Sequence, residues 1–110
     1  MSAEQRGYLV GNFTVIDTQL MAEYTQKATP LVQKYGGAIE IMTPQLIPVE
    51  GGAQPVFVVI RFPTLKDATD FYEAPDYAPL KELRIKATTG GFLSLVQGTP
   101  SQTTRDEASS

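Results

Sequence analysis

The chain contains no cysteine and no histidine among its 110 residues. Thiolate nucleophiles, disulfides and imidazole bases are thereby excluded, together with nearly all zinc chemistry, so carboxylates are the only metal ligands on offer. No cofactor and no metal are expected. Positive charge is scarce: 9 basic against 12 acidic residues give a net charge of −3. These charges are scattered, which leaves no electrostatic footprint for nucleic acid or for an anionic membrane surface. No stretch approaches the ~20 apolar residues of a membrane span, and Met1 to Arg6 lacks the apolar core of a secretion signal. A cytoplasmic protein without nucleic-acid or membrane partners is expected. The glycine pairs Gly36-Gly37, Gly51-Gly52 and Gly90-Gly91 lack the Lys-Ser/Thr that follows a phosphate loop, and they read as turns.

What is present is enough for one domain, since 42% of the residues are hydrophobic and a chain of this length can bury roughly two thirds of its unfolded surface. A flexible leader is expected over 1–6, the domain over 7–98, and a Ser/Thr-rich flexible tail over 99–110. The aromatic and β-branched run Gly7 to Val15 reads as a strand. Asp17 can cap a helix over Thr18 to Tyr35, which Pro30 should kink or divide after Thr29. Ala38 to Thr43 reads as a second strand, Leu46 to Val49 as an edge segment or hairpin arm, and Val56 to Phe62 as a central strand.

Thr64 followed by Asp67 is a capping box, so a helix begins at Leu65. Pro75 must break it, because proline donates no ladder hydrogen bond and biases Ala74 away from the α region. Asp76 can cap a second helical segment with Pro79 in its first turn and Leu80, Leu83 and Ala87 on one face. Gly90-Gly91 then turns the chain into a last strand, Phe92 to Gln97. The order β-α-β-β-α-β is an α+β, ferredoxin-like plan with a four-stranded antiparallel sheet and helices on one face. The sheet face left without helices calls for a second subunit, and a homodimer is expected.

Gly7-Tyr8, Asp17, Tyr24, Lys34-Tyr35-Gly36-Gly37, Ile60-Arg61-Phe62-Pro63 and Phe71-Tyr72-x-x-Pro75-x-Tyr77, taken together, resemble a small bacterial family of unassigned function in the dimeric α/β-barrel superfamily. The likeness runs from Gly7 to about Gly98. It implies a subunit whose sheet packs on a second sheet, with a pocket between sheet and helices in each monomer. The wider superfamily includes cofactor-independent monooxygenases, muconolactone-type isomerases, polyketide cyclases and aldoxime dehydratases, and fold does not choose among them. The chain departs from the family pattern at Asn12, where histidine is frequent, at Ala38 and Met42, where basic residues are frequent, and at Arg61, where glutamate is frequent.

Strand alternation puts Tyr8, Val10, Asn12 and Thr14 on one face of the first strand, and Phe57, Val59 and Arg61 on one face of the third. Arg61 beside Asn12 could bind a carboxylate, enolate or phenolate; the plainer reading has Arg61 reaching solvent and pairing with Glu40 or Asp70. Tyr24, Tyr35, Tyr72 and Tyr77 fall on helices, where a phenol could protonate a substrate oxygen or simply pack in the core. Tyr72 and Tyr77 flank the Pro75 break. Asp70 and Glu73 read as a solvated helix face. The candidate catalytic groups are thus Arg61, Asn12 and Tyr72. Tyr8, Tyr24, Phe57, Val59 and Tyr77 are the candidate ligand-binding groups, in a pocket expected between sheet and helices. A one-residue shift in face assignment would instead turn every strand residue of this set toward the dimer interface. The expected ligand is a small apolar or aromatic metabolite, with polyketide-derived compounds among the options. It is expected to undergo isomerase, cyclase or monooxygenase chemistry, or to be sequestered by a stress-associated binding dimer that does not turn it over.

Overall fold

The computed structural model describes residues 5–100; most of the leader and tail expected from the sequence lie outside the described residues. In chain order the elements are β1 (Gly7–Val15), α1 (Thr18–Lys34), β2 (Ala38–Thr43), β3 (Val56–Phe62), α2 (Leu65–Glu73), α3 (Ala78–Ala87) and β4 (Thr88–Gln97). The sheet order is β2-β3-β1-β4, with every neighbouring pair antiparallel, which is the ferredoxin-like arrangement. Gln5 Nε2 donates to Gly98 O and Gly98 N to Arg6 O, each at 2.8 Å, so the β1–β4 edge is tied one step beyond the strands.

Local chemistry accounts for the helix limits. The Asp17 carboxylate accepts from Leu20 N at 3.0 Å, and Thr64 Oγ1 accepts from Asp67 N at 3.1 Å, satisfying N–H groups that a first turn leaves unpaired. α1 runs unbroken through Pro30; the expected division after Thr29 does not occur, and Thr29 Oγ1 donates to Thr25 O at 2.8 Å. Pro75 does end α2, but the chain then makes a 3-10 turn, Pro75–Tyr77, that leads into α3 without a side-chain cap. Asp76 therefore does not cap α3. Its carboxylate lies 3.8 Å from Lys34 Nζ instead.

Gly90 and Gly91 do not make the expected turn. They sit inside β4, both at positive φ (71° and 73°), where the β1–β4 register shifts between Asn12 and Thr14. The Gly91 backbone presses so closely on the Asn12 carbonyl that no side chain fits there, which is the usual reason for glycine at a bulge. Segment 44–55 carries no strand; its base is closed by Leu46 N donating to Pro55 O at 2.8 Å.

One face of the sheet is covered by helices. Leu9, Phe13, Val58, Ile60 and Phe62 point into that layer and are buried, together with Val32, Ala68 and Phe71. Phe71 lies at the centre of an aromatic chain, 5.4 Å from Phe62 and 4.9 Å from Tyr77 between ring centroids. The opposite face carries Tyr8, Val10, Phe57 and Val59, where Val10 pairs with Val59, Tyr8 with Arg61 and Phe57 with Asn12 across β1 and β3, with Ile41 on β2 and Phe92 on β4 beside them. Ile41 is 47% exposed and Phe92 51%, so this apolar face is uncovered in the single chain. The subunit is a slab of 45 × 36 × 16 Å, with room for one sheet and one helical layer.

Candidate functional site

The strand residues expected to line a pocket under the helices lie on the other side of the sheet. Tyr8, Asn12, Phe57, Val59 and Arg61 belong to the uncovered face, because the alternate set Leu9, Phe13, Val58 and Ile60 is the buried one. Both sets are apolar enough to pack, so alternation defines two faces without saying which the helices cover. The sheet separates these residues from Tyr24, Tyr72 and Tyr77, and the expected single site is not assembled within one chain.

Asn12 and Arg61 do not converge on a ligand position. Asn12 is 6% exposed, and its amide is fully used: Nδ2 donates to Gln54 O and Val56 O, and Oδ1 accepts from Gln54 N. Thr14 Oγ1 and Gln54 Oε1 are also hydrogen bonded. Arg61 Nη1 lies 3.6 Å from Glu40 Oε2, with the two side chains 38% and 41% exposed. Solvent screening holds such a pair to about 1 kcal/mol at most.

The polar grouping that does face an apolar space comes from the helices. The hydroxyls of Tyr24 on α1 and Tyr77 in the 3-10 turn are 2.8 Å apart, and Arg84 Nε on α3 donates to the Tyr77 oxygen at 3.3 Å. Either phenol can donate in the first contact. Tyr77 is fully buried and accepts from Arg84; the two phenols hold two protons and spend one between them, so one hydroxyl proton of the pair is left for a further acceptor. Burial, reinforced by the neighbouring Tyr77 phenol, pushes the Tyr24 hydroxyl well above its ordinary value near 10, and Arg84 opposes that shift. Tyr24 is accordingly a donor and not a base. The Tyr72 ring lies 5.4 Å from that of Tyr77, tilted by 46°, and Lys81 Nζ lies 5.0 Å from the Tyr72 ring centroid.

Tyr24 and Arg84 line a cavity of about 40 Å³ between α1, α3 and the sheet, walled by Leu9, Phe13, Val58 and Leu93 and bordered by Met21 and Met42. Met21 and Thr25 also border a wider open groove of about 880 Å³ that runs toward Pro44 and Pro55. Arg84 is the residue that sequence reasoning misses. Its signal is present: it falls at helical spacing between Leu80 and Ala87, within the apolar stripe of α3, where a solvated arginine has no place. Among the described residues no three acidic side chains gather in a way that could hold a metal ion, and no helix is long and apolar enough to cross a membrane.

The sequence matches no curated protein. The fold is shared with the RPA0582 protein of unknown function from Rhodopseudomonas palustris, at a TM-score of 0.71 and 13% identity over 91% of this chain and 87% of that one. A dimeric protein of unknown function with a ferredoxin-like fold from Bacteroides fragilis NCTC 9343 is similar at a TM-score of 0.55 and 12% identity, over 84% of this chain and 95% of that one. At such identities the likeness is one of fold alone. Residues 6–99 match the family described as a domain of unknown function, DUF1330, and the chain belongs to that family.

Proposed function

We propose that the protein is a homodimer that binds a small apolar or aromatic metabolite bearing a carbonyl or phenol oxygen, without a cofactor, between its sheet and its helices. The observation that carries this reading is the hydrogen-bond chain from Arg84 through Tyr77 to Tyr24 at the wall of an apolar cavity. An apolar body would displace water from the walls while the Tyr24 hydroxyl holds the oxygen. A cavity of about 40 Å³ has room for only about three water-sized spheres, so a ligand must widen it. Met21 and Met42, unbranched and adaptable, sit where that widening would occur.

Dimerisation is supported by the uncovered apolar sheet face and by the dimeric state of the Bacteroides fragilis protein. Donors aimed at an oxygen would also stabilise charge developing on it, the requirement shared by isomerase, cyclase and monooxygenase chemistry on enolisable substrates. Binding without turnover is favoured by a specific feature: no carboxylate belongs to the described cavity wall, so no base stands there to take a proton from carbon.

Titration with acetophenone, followed by the amide and methyl resonances of the protein, tests the reading. Shifts are expected at Met21, Leu93 and Val58, and Tyr24→Phe should weaken binding by about two- to tenfold, the worth of one neutral hydrogen bond. Shifts confined to the uncovered sheet face, or no binding at millimolar ligand, would overturn it.

A further inference from the structure

We infer that the ligand of this cavity is an anion, a small carboxylate or phenolate on an apolar body, and that Arg84 is its counter-charge. The inference rests on the reading that the cavity is the binding site. Among the described residues, ion pairs join Lys27 to Glu23, Lys34 to Asp76, Arg61 to Glu40 and Lys66 to Asp70; Arg84 has no such acidic partner. It is half-buried, spends Nε on the Tyr77 oxygen and borders a cavity whose other walls are largely aliphatic and aromatic. A cation held there loses hydration without a compensating charge, a cost that an anion entering the cavity would offset.

The donors at this edge point the same way. Arg84 donates to Tyr77, one phenol donates to the other, and the second phenol's proton is left over, so this polar edge is rich in donors. A carboxylate or phenolate brings only acceptors, and a planar guanidinium with its terminal nitrogens unspent can meet a carboxylate with two parallel bonds. The apolar walls select for an organic body behind the charge, which separates this ligand class from inorganic phosphate.

Benzoate and nitrobenzene have nearly the same shape and differ in charge, and their binding to the wild-type protein is the deciding comparison. Benzoate should bind about tenfold or more tightly than nitrobenzene, as hydrogen bonds to a charged group outweigh neutral ones. In Arg84→Gln that preference should fall to about twofold or less, and Arg84→Lys should keep part of it. Equal affinity of the two probes in the wild type would overturn the anionic class while leaving the pocket in place. Failure of both probes to bind would overturn the pocket reading itself. Benzoate affinity unchanged in a folded Arg84→Gln protein would remove Arg84 as the counter-charge. If that variant does not fold, the wild-type comparison still decides the ligand class, and Arg84→Lys decides the residue by whether the benzoate preference drops.

Discussion

Asn12 and Gln54 exchange two hydrogen bonds, with Asn12 Nδ2 2.9 Å from Gln54 O and Gln54 N 3.0 Å from Asn12 Oδ1. A third bond, from Nδ2 to Val56 O at 2.8 Å, completes a clasp that holds the start of β3 against the middle of β1. The side chain thus supplies ladder-like bonds where the backbone ladder begins, beside the bulge that Gly90 and Gly91 introduce on the other edge of β1.

Asn12→Asp should therefore damage the fold. A carboxylate cannot donate, so two buried carbonyls would face an anionic oxygen, at a cost of about 1–3 kcal/mol or more. Urea unfolding measures this; a variant as stable as the wild type would show that the clasp contributes nothing.

Gly91→Ala should disturb the β1–β4 pairing, since the residue is at φ 73° and its neighbour is the Asn12 backbone. The expected loss exceeds the ~1 kcal/mol by which a glycine-to-alanine change at a compatible site is stabilising, and it has the opposite sign. Hydrogen exchange along β4 should speed up first. Protection equal to wild type would contradict the close approach.

Val59→Asp places a charge in the middle of the uncovered face. Sedimentation of the wild type should give about twice the 12.0 kDa of one chain, and the variant should fall to the single-chain mass because an unpaired charge in an apolar interface is costly. A wild type that sediments as one chain at micromolar concentration would count against the dimer.

Tyr24 should make stability decline at high pH. Its hydroxyl is held protonated in the fold, while the unfolded chain releases that proton near 10. The contribution is therefore complete below that pH and is lost as pH rises toward the higher folded value. Unfolding midpoints between about pH 9 and 11 should fall less steeply in Tyr24→Phe than in the wild type. Parallel curves would show that the phenol is not shielded.

Most of the fold is legible in the sequence because its signals are local. Asp17, Thr64 and Pro75 act on backbone groups within a few residues, so both capped starts and the α2 break can be read from the chain itself. Pro30 and Gly90-Gly91 mislead for a non-local reason: α1 is held together by packing across the proline, and the glycines answer to the backbone of Asn12, about eighty residues earlier in the chain. The site is less legible. Val58 and Val59 are the same residue on adjacent positions, one under the helices and one on the uncovered face, and no pattern within β3 tells them apart. Tyr24 and Tyr77 are among the candidate residues, but Tyr24 meets Tyr77 and its neighbour Arg84 only through the packing of α1 against the α2–α3 region, far along the chain.

In the proposed dimer, a slab only 16 Å thick reaches its resting state by pairing its apolar side with that of a second chain. Such an assembly is a second-order reaction, so the proposed dimer's melting temperature should climb with protein concentration, and a dilute newly made chain would be the form most exposed to chaperones and proteases.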